Sequence, residues 1–130
     1  MNCKVEKSKI KGKINCPSNK SYTHRGIFLA SLAGNNSKVE NVLLSADTKA
    51  TIEACKKFGA VIEVNDSDII VKKSIKIGIN VPEINTENSG TTMRIAIGIA
   101  SLFSEEIILT GDTSLQKRPM QPLLDALSSI

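Results

Sequence analysis

The sequence predicts an α/β fold built from two copies of a β-α-β-α unit, and three observations support that prediction. Apolar residues alternate between the period of a strand and the period of a helix along most of the 130 residues. Polar and glycine-containing turns separate these runs. Short segments recur in matching positions of the two copies, pairing 30–32 with 100–102, 44–48 with 109–113, and Arg25 with Arg94.

The first copy opens with weak alternation over residues 4–15, which predicts a leading strand. Four of its lysines fall on one side of that strand, which we interpret as a solvated face: Lys7, Lys9, Lys11 and Lys13. The predicted elements that follow are a helix over 22–32 capped within 17–21 and ended at Gly34, a strand over 39–44, a helix capped within 45–47 and ended at Gly59, and a hairpin of 61–64 and 69–71.

The second copy repeats this order. Its predicted elements are a strand over 75–81 ended by Pro82, a helix opened by 88–92 that runs to Leu102, a strand over 106–109, a polar connection over 112–118, and a last helix opened by Pro119 that reaches Leu127. No hairpin follows, and Ile130 is an apolar end without a closing signal. We therefore expect part of a longer protein, with a leading strand at 1–15, a first unit at 16–81 and a truncated second unit at 82–130.

Composition narrows the classes of function. A formal net charge of +4 predicts an anionic partner, which could be nucleic acid, acidic lipid or a phosphorylated small molecule. One tyrosine and three phenylalanines offer few platforms for stacking bases, and no apolar run approaches the roughly 20 residues of a membrane span. The three cysteines fit neither a disulfide framework nor a zinc site, so we expect a reduced, cytoplasmic protein without a metal.

Arginine is rare in this sequence, and its placement is informative. The three arginines, Arg25, Arg94 and Arg118, each lie in a short polar segment beside a predicted helix start, whereas lysine supplies the other positive charges. A guanidinium can grip a carboxylate or phosphate with two parallel hydrogen bonds, which an ammonium cannot do. The pattern predicts anion binding, although an ordinary ion pair or cap would explain any one of the three.

The first polar segment, 17–25, leads into a helix whose unpaired backbone N–H groups favour an anion. Lys20, Ser21 and Arg25 add a point charge, a hydroxyl and a guanidinium. The alternative is a capped helix with two solvated cations.

The second and third polar segments follow the same logic. In 88–94, Gly90 would let a ligand approach the backbone closely, and Thr91 offers a hydroxyl, although a Ser/Thr-capped helix is an equal alternative. No Walker P-loop pattern is present. In 117–119, Arg118 would stand just before a helix opened by Pro119, and the alternative is a surface turn.

Other candidate residues favour structural roles. His24 is the single histidine, for which we prefer a helix-surface or interdomain polar role over catalysis, and it has no partners for a metal site. Asp47 and Asp112 occupy equivalent repeat positions, where we predict helix N-caps. No nucleophile and base pair can be argued, so no catalytic residue is predicted.

Together these segments resemble the EPSP synthase family of enolpyruvyl transferases. Residues 17–25 look like its P-G-S-K-S-x-x-x-R motif, 88–94 look like N-[AS]-G-T-x-x-R, and 111–119 look like its G-[DE]…R-P segment. The order and spacing match over nearly the whole chain. Ser18 and Asn19 replace the usual glycine and serine of the first motif.

The resemblance implies an inside-out α/β barrel-type domain of repeated βαβαββ units, incomplete here, whose leading segment belongs with the other domain. It implies transfer of the enolpyruvyl group of phosphoenolpyruvate to the 5-hydroxyl of shikimate 3-phosphate, without metal or organic cofactor, in a monomeric enzyme. The family's acid and base would lie in sequence that is not present, so the fragment alone is expected to be inactive.

The resemblance also assigns substrate contacts. Lys20 resembles a lysine that contacts both substrates, Ser21 and Arg25 resemble contacts to the shikimate phosphate, and Gly90 and Arg118 resemble contacts to phosphoenolpyruvate. Asn88, Thr91 and Arg94 lie in the same motif with less defined roles.

Two alternatives stay open at this point. UDP-N-acetylglucosamine enolpyruvyl transferase is a near relative, but it has asparagine where this chain has Ser21 and lacks the matching Arg25. The other alternative is a non-enzymatic anion-binding module, which a steep salt dependence of nucleic-acid binding would reveal.

Overall fold

A computed structural model describes residues 3–34, 36–81 and 83–130. The helices are α1 (Lys20–Leu32), α2 (Ala46–Lys57), α3 (Gly90–Ala100) and α4 (Gln121–Ser128), and the strands are β1 (Ser37–Val39), β2 (Val61–Asn65), β3 (Asp68–Lys73), β4 (Glu83–Asn85) and β5 (Ile108–Thr110). A 3₁₀ turn at Leu115–Lys117 connects β5 to α4.

The strands form two small sheets. One is antiparallel with the order β1-β3-β2, in which β2 and β3 form the predicted hairpin, with Ile62 opposite Val71. The other pairs β4 with β5 in parallel, with Ile84 opposite Leu109. Helix α3 joins the two parallel strands, so the second copy has a β-α-β order, although its first strand is β4 and not the segment predicted.

Side-chain oxygens cap the first three helices where the sequence predicted caps. Asn19 accepts from the Tyr22 backbone N–H at 2.9 Å, and Ser89 accepts from the Thr92 N–H at 3.3 Å. Ser45 and Thr48 form a reciprocal capping box at the start of α2. These caps satisfy N–H groups that a helix leaves unpaired at its start.

One apolar core joins the two predicted units. Phe58 at the end of α2 packs with Phe103, which follows α3, with ring centroids 5.5 Å apart. The cluster includes Ile27, Phe28, Val42, Ile52, Cys55, Ile62, Ile69, Val71, Val81, Ile84, Ala96 and Ile99. It fixes α1, α2 and α3 against each other. The unit boundaries at 16–81 and 82–130 stay a prediction.

The leading segment differs from its prediction. Residues 3–19 form no strand in the described part of the chain, and residues 3–17 are exposed, so the lysines share no strand face. A strand needs a partner for its backbone hydrogen bonds. The assignment of this segment to another domain stays a prediction.

The predicted strand over 75–81 is wrong, and the strand of this region is β4. The backbone N–H of Ile75 donates to the Ser31 carbonyl at 2.8 Å, and that of Lys76 donates to the Phe58 carbonyl at 3.0 Å. This segment therefore satisfies carbonyls at the ends of α1 and α2 instead of pairing with a strand. Pro82, predicted to end the strand, lies outside the described residues.

Two further predictions are wrong in their bounds. The strand predicted over 39–44 overlaps β1 only at Val39, and residues 40–44 form no strand. Asn41 turns the backbone there with φ +52°, and the Leu43 backbone N–H donates to the Thr23 hydroxyl instead of to a strand. Pro119 does not open the last helix, since α4 begins at Gln121 with a proline in its first turn.

The helices have two further features. No helix among the described residues is long and apolar enough to cross a membrane. Helix α4 buries none of its residues, and its Leu124 and Leu127 line an apolar groove of about 790 Å³ beside α3 and β5.

Candidate functional site

A polar cleft of about 380 Å³ lies where the starts of α1, α2 and α3 meet the segment after β5. Its lining residues are Lys20, Asp47, Asn88, Ser89, Gly90, Thr91, Arg94 and Arg118. The structure thus brings together predicted site residues that are far apart in sequence. Hereafter this space is called the polar cleft.

Helix α1 contributes a lysine to the polar cleft. Lys20 is the first residue of α1, and its Nζ donates to Asp47 Oδ2 at 2.7 Å. Because the Lys20 side chain is 52% exposed, solvent screens this pair and its ammonium remains open to a ligand.

Helix α3 contributes backbone to the polar cleft. Gly90 is its first residue, and a Cβ at this position would lie 2.9 Å from Arg118 Nη1 and 3.0 Å from Arg94 Nη1. Glycine is therefore the residue that lets two guanidinium groups lie against this helix start. The exposed Thr91 follows it and also lines the cleft.

Arg118 is held in place by a chain of polar contacts. Its Nη2 donates to Asn88 Oδ1, and Asn88 Nδ2 donates to Asp112 Oδ2 at 2.7 Å. Asp112 Oδ1 accepts from the Leu115 backbone N–H at 2.7 Å. This N–H, with help from Asn88, holds the pKa of the Asp112 carboxyl below its usual range, so Asp112 stays ionised and orients Asn88.

Arg94 points back along its own helix. Its Nη1 donates to the Gly90 carbonyl at 3.3 Å and its Nη2 to the Pro119 carbonyl at 3.4 Å. Both hydrogen bonds are long, so they orient the guanidinium without using all of its hydrogen-bonding capacity. The lining residues carry three cations and one carboxylate, that of Asp47. The net charge of the cleft is therefore positive, which suits an anion.

Ser21 and Arg25 do not line the polar cleft. Both are exposed on α1, and the Arg25 guanidinium lies 4.9 Å from the centroid of the Tyr22 ring, a cation–π distance. Their contact with substrate stays a prediction.

Three residues differ from their predicted positions. Asp47 is not an N-cap, because Ser45 caps α2 and Asp47 lies in the first turn, ion-paired with Lys20. His24 is not at a helix surface, since it is 1% exposed. Asp112 is not an N-cap either, because Ser114 holds that position at the 3₁₀ turn, although Asp112 accepts from the Leu115 backbone N–H within the turn.

The repeat register also changes at one position. The N-caps Asn19 and Ser89 are equivalent, and without a gap in the helices this alignment pairs His24 with Arg94. The predicted pairing of Arg25 with Arg94 is therefore shifted by one residue. Matching the helix caps in the sequence, together with 30–32 and 100–102, would have found this register.

Ser89 is a lining residue that the sequence did not single out. The sequence did contain a signal for it, because a serine directly before Gly90 is a strong N-cap candidate.

Across the described residues, no cluster of three or more His, Cys, Asp or Glu is placed to hold a metal ion.

Comparison with known proteins places these features in a wider group. Residues 5–130 match the family model described as EPSP synthase (3-phosphoshikimate 1-carboxyvinyltransferase). A curated 3-phosphoshikimate 1-carboxyvinyltransferase of Nitrosopumilus maritimus (strain SCM1) is 82% identical over 130 residues, which cover 100% of this chain and 31% of that protein. The relative of the same name from Methanosarcina acetivorans is 45% identical over 132 residues, covering 100% of this chain and 30% of that protein.

A solved structure agrees with the sequence relatives. The EPSP synthase from Acinetobacter baumannii superposes with a TM-score of 0.81 at 30% identity, over 91% of this chain and 27% of that one. The predicted α/β fold of this kind, incomplete here, is confirmed. The chain spans less than a third of the length of the curated relatives that it matches.

Proposed function

The chain belongs to the EPSP synthase family, and we propose that it supplies one wall of the site at which that enzyme transfers an enolpyruvyl group. The reaction moves this group from phosphoenolpyruvate to the 5-hydroxyl of shikimate 3-phosphate and releases phosphate. The observation that carries the proposal is that Arg94 and Arg118 lie against Gly90 at the start of α3, in the same polar cleft as Lys20.

The chemistry of this wall fits two anionic substrates. Addition of the hydroxyl to phosphoenolpyruvate, followed by elimination of phosphate, keeps negative charge on the phosphate and carboxylate throughout. Preorganised cations and helix N–H groups stabilise such charge without reorganising during the reaction. Gly90 leaves room for an oxygen near the backbone, and Arg118 is oriented by Asn88 before any ligand arrives.

Individual roles follow from this arrangement. Gly90 and Arg118 are proposed to bind phosphoenolpyruvate, and Lys20, which lines the same polar cleft, is proposed to contact both substrates. Asn88, Thr91 and Arg94 support the same site. Ser21 and Arg25 are proposed to bind the phosphate of shikimate 3-phosphate, supported by their exposure on the first two turns of α1.

The remaining parts of the proposal concern the protein as a whole. We propose that the complete enzyme is a cytoplasmic monomer. It is proposed to need no metal or cofactor and to bind neither nucleic acid nor membrane. The 130 residues alone are proposed to bind anions weakly and to turn over no substrate. Asp47, the carboxylate among the lining residues, is paired with Lys20 and is not poised as a free base.

The test uses a fusion enzyme, in which residues 1–130 replace the matching segment of the Nitrosopumilus maritimus relative. We expect phosphate release from phosphoenolpyruvate only when shikimate 3-phosphate is present, and no release by the 130-residue chain. A folded fusion enzyme without turnover would contradict the proposed function. Turnover by the pure chain would contradict the proposed need for further sequence.

A further inference from the structure

A buried chain of hydrogen bonds runs beneath the polar cleft and joins three helices. His24 Nδ1 lies 2.6 Å from Thr51 Oγ1, Thr51 Oγ1 lies 2.7 Å from Thr92 Oγ1, and Thr92 Oγ1 lies 2.6 Å from Ser89 Oγ. These four residues are each 2% exposed or less. We call them the hydroxyl relay.

Each member of the hydroxyl relay lies next to a residue that lines the polar cleft. His24 follows Lys20 by one helical turn on α1, and Thr51 follows Asp47 by one turn on α2. Residues four apart in a helix lie one above the other on the same face. On α3, Thr92 follows Gly90 within the first turn and bonds to Ser89, which itself lines the cleft.

We propose that His24, Thr51 and Thr92 are positioning residues, which hold the starts of α1, α2 and α3 at the spacing that the anion site requires. The inference rests on the proposed function and deepens it. Apolar contacts between helices tolerate small shifts, whereas each buried hydrogen bond holds its donor and acceptor within a narrow range of distance and angle. A shift at the floor of the cleft would move Lys20 relative to Gly90.

The hydrogens of the relay have a preferred direction. His24 Nε2 is buried and has no hydrogen-bond partner among the described residues. An unpaired buried N–H is rarer in proteins than an unpaired acceptor, which favours the tautomer that carries its hydrogen on Nδ1. Thr51 then accepts from His24, and its own hydrogen can go to Thr92 Oγ1 at 2.7 Å or to the Asp47 carbonyl at 3.4 Å. The shorter distance favours Thr92, which in turn donates to Ser89.

The environment of His24 agrees with a neutral ring. Burial lowers the pKa of the imidazole, the charge of Asp47 opposes this, and the charge of Lys20 adds to it. A protonated ring would place a second hydrogen on Nε2, where the described residues provide no acceptor.

The first experiment compares three variants of the fusion enzyme. Thr51→Val removes the central hydroxyl while keeping the shape of the side chain, and Thr51→Ser keeps the hydroxyl. Ser31→Ala is the matched control, because it removes a buried hydroxyl of α1 that lies outside the relay. We expect Thr51→Val to raise KM for phosphoenolpyruvate about tenfold with a smaller change in kcat. Thr51→Ser and the control should remain close to the parent.

Two results would overturn the inference. One is a KM for Thr51→Val that equals that of Ser31→Ala. The other is a failure of Thr51→Ser to restore KM while the protein remains folded by thermal unfolding.

A second experiment does not depend on turnover. Amide NMR of the 130-residue chain, with and without inorganic phosphate, should show that Thr51→Val moves the resonances of Gly90 and Thr91 and weakens phosphate binding. Nitrogen NMR should find the His24 hydrogen on Nδ1. If the fusion enzyme is inactive but these shifts occur, the proposed function fails and the relay stands. If the fusion enzyme is active and Thr51→Val leaves both resonances and KM unchanged, the relay fails.

Discussion

The starts of α1 and α3 occupy the same position in the two copies, yet they contribute different chemistry to one cleft. Each start is capped by a side-chain oxygen, from Asn19 in α1 and from Ser89 in α3. The first helical residue is Lys20 in one and Gly90 in the other. One copy therefore presents a flexible charge, and the other presents bare backbone flanked by guanidinium groups.

The difference shows how a repeat can diverge into two halves of one site. On the α1 side, Lys20 is paired with Asp47, so part of its charge is already neutralised. On the α3 side, Arg118 Nη2 donates to Asn88 Oδ1, and its Nη1 lies against Gly90. We therefore expect the α3 start to contribute more to anion affinity than the α1 start.

The largest effect is expected from Arg118→Lys in the fusion enzyme. Loss of the planar fork removes a charge-assisted hydrogen bond, which costs about 1.5–3 kcal/mol or roughly ten- to hundredfold in kcat/KM for phosphoenolpyruvate. Lys117→Arg, at the exposed neighbouring position, is the control and should change little. Wild-type steady-state kinetics for Arg118→Lys would show that the bidentate role is wrong.

The next largest effect is expected from Gly111→Ala, which we compare with Gly90→Ala. In Gly111→Ala, the new Cβ would lie 2.6 Å from the Glu87 carbonyl oxygen, so the backbone must move. We expect a loss of about 1–3 kcal/mol in the free energy of unfolding, measured by urea denaturation of the chain. In Gly90→Ala the Cβ meets the ends of two flexible arginines, so stability should be nearly unchanged while phosphate binding weakens. Equal losses of stability in both variants would refute this distinction.

A smaller effect compares the two caps directly. Asn19→Ala and Ser89→Ala each remove an N-cap, which costs about 1 kcal/mol in stability. Ser89→Ala should cost more, because Ser89 is 2% exposed and also bonds to the Thr92 hydroxyl. Thermal unfolding of the chain by circular dichroism measures both, and a larger loss for Asn19→Ala would reverse the comparison.

The smallest effect is expected from pH. Since burial lowers the pKa of His24 in the folded state from an ordinary value of 6.5, the unfolded state binds the proton more readily. Stability should be constant with respect to this group above pH 6.5, and should fall as pH decreases from 6.5 to the folded pKa. His24→Gln should flatten that part of the curve. An unchanged slope in His24→Gln would assign the pH dependence to other groups.

Local sequence signals predicted much of the fold. They were wrong where the backbone hydrogen-bond partner of a residue lies far away in the chain. The hairpin of β2 and β3 and the caps of α1 and α2 follow from residues adjacent in the chain. The strand predicted over 75–81 is wrong, because Ile75, Ile79 and Val81 pack in or against the core without a partner strand. The backbone N–H groups of Ile75 and Lys76 donate instead to the carbonyls of Ser31 and Phe58. Periodicity indicates which side chains become buried, but it does not reveal which carbonyl a backbone N–H will find.

The α/β class, the family resemblance and the residue types of an anion site could be predicted from the amino-acid sequence, since these depend on local pattern and motif. Which of those residues share the polar cleft depends on how the chain folds: Lys20, Gly90 and Arg118 line it, whereas Arg25 lies over Tyr22. The fold also pairs Asp47 with Lys20 and buries His24 beneath them. The physical reason is that these contacts join helices far apart in the chain, whose relative positions are set by the packing of the shared core.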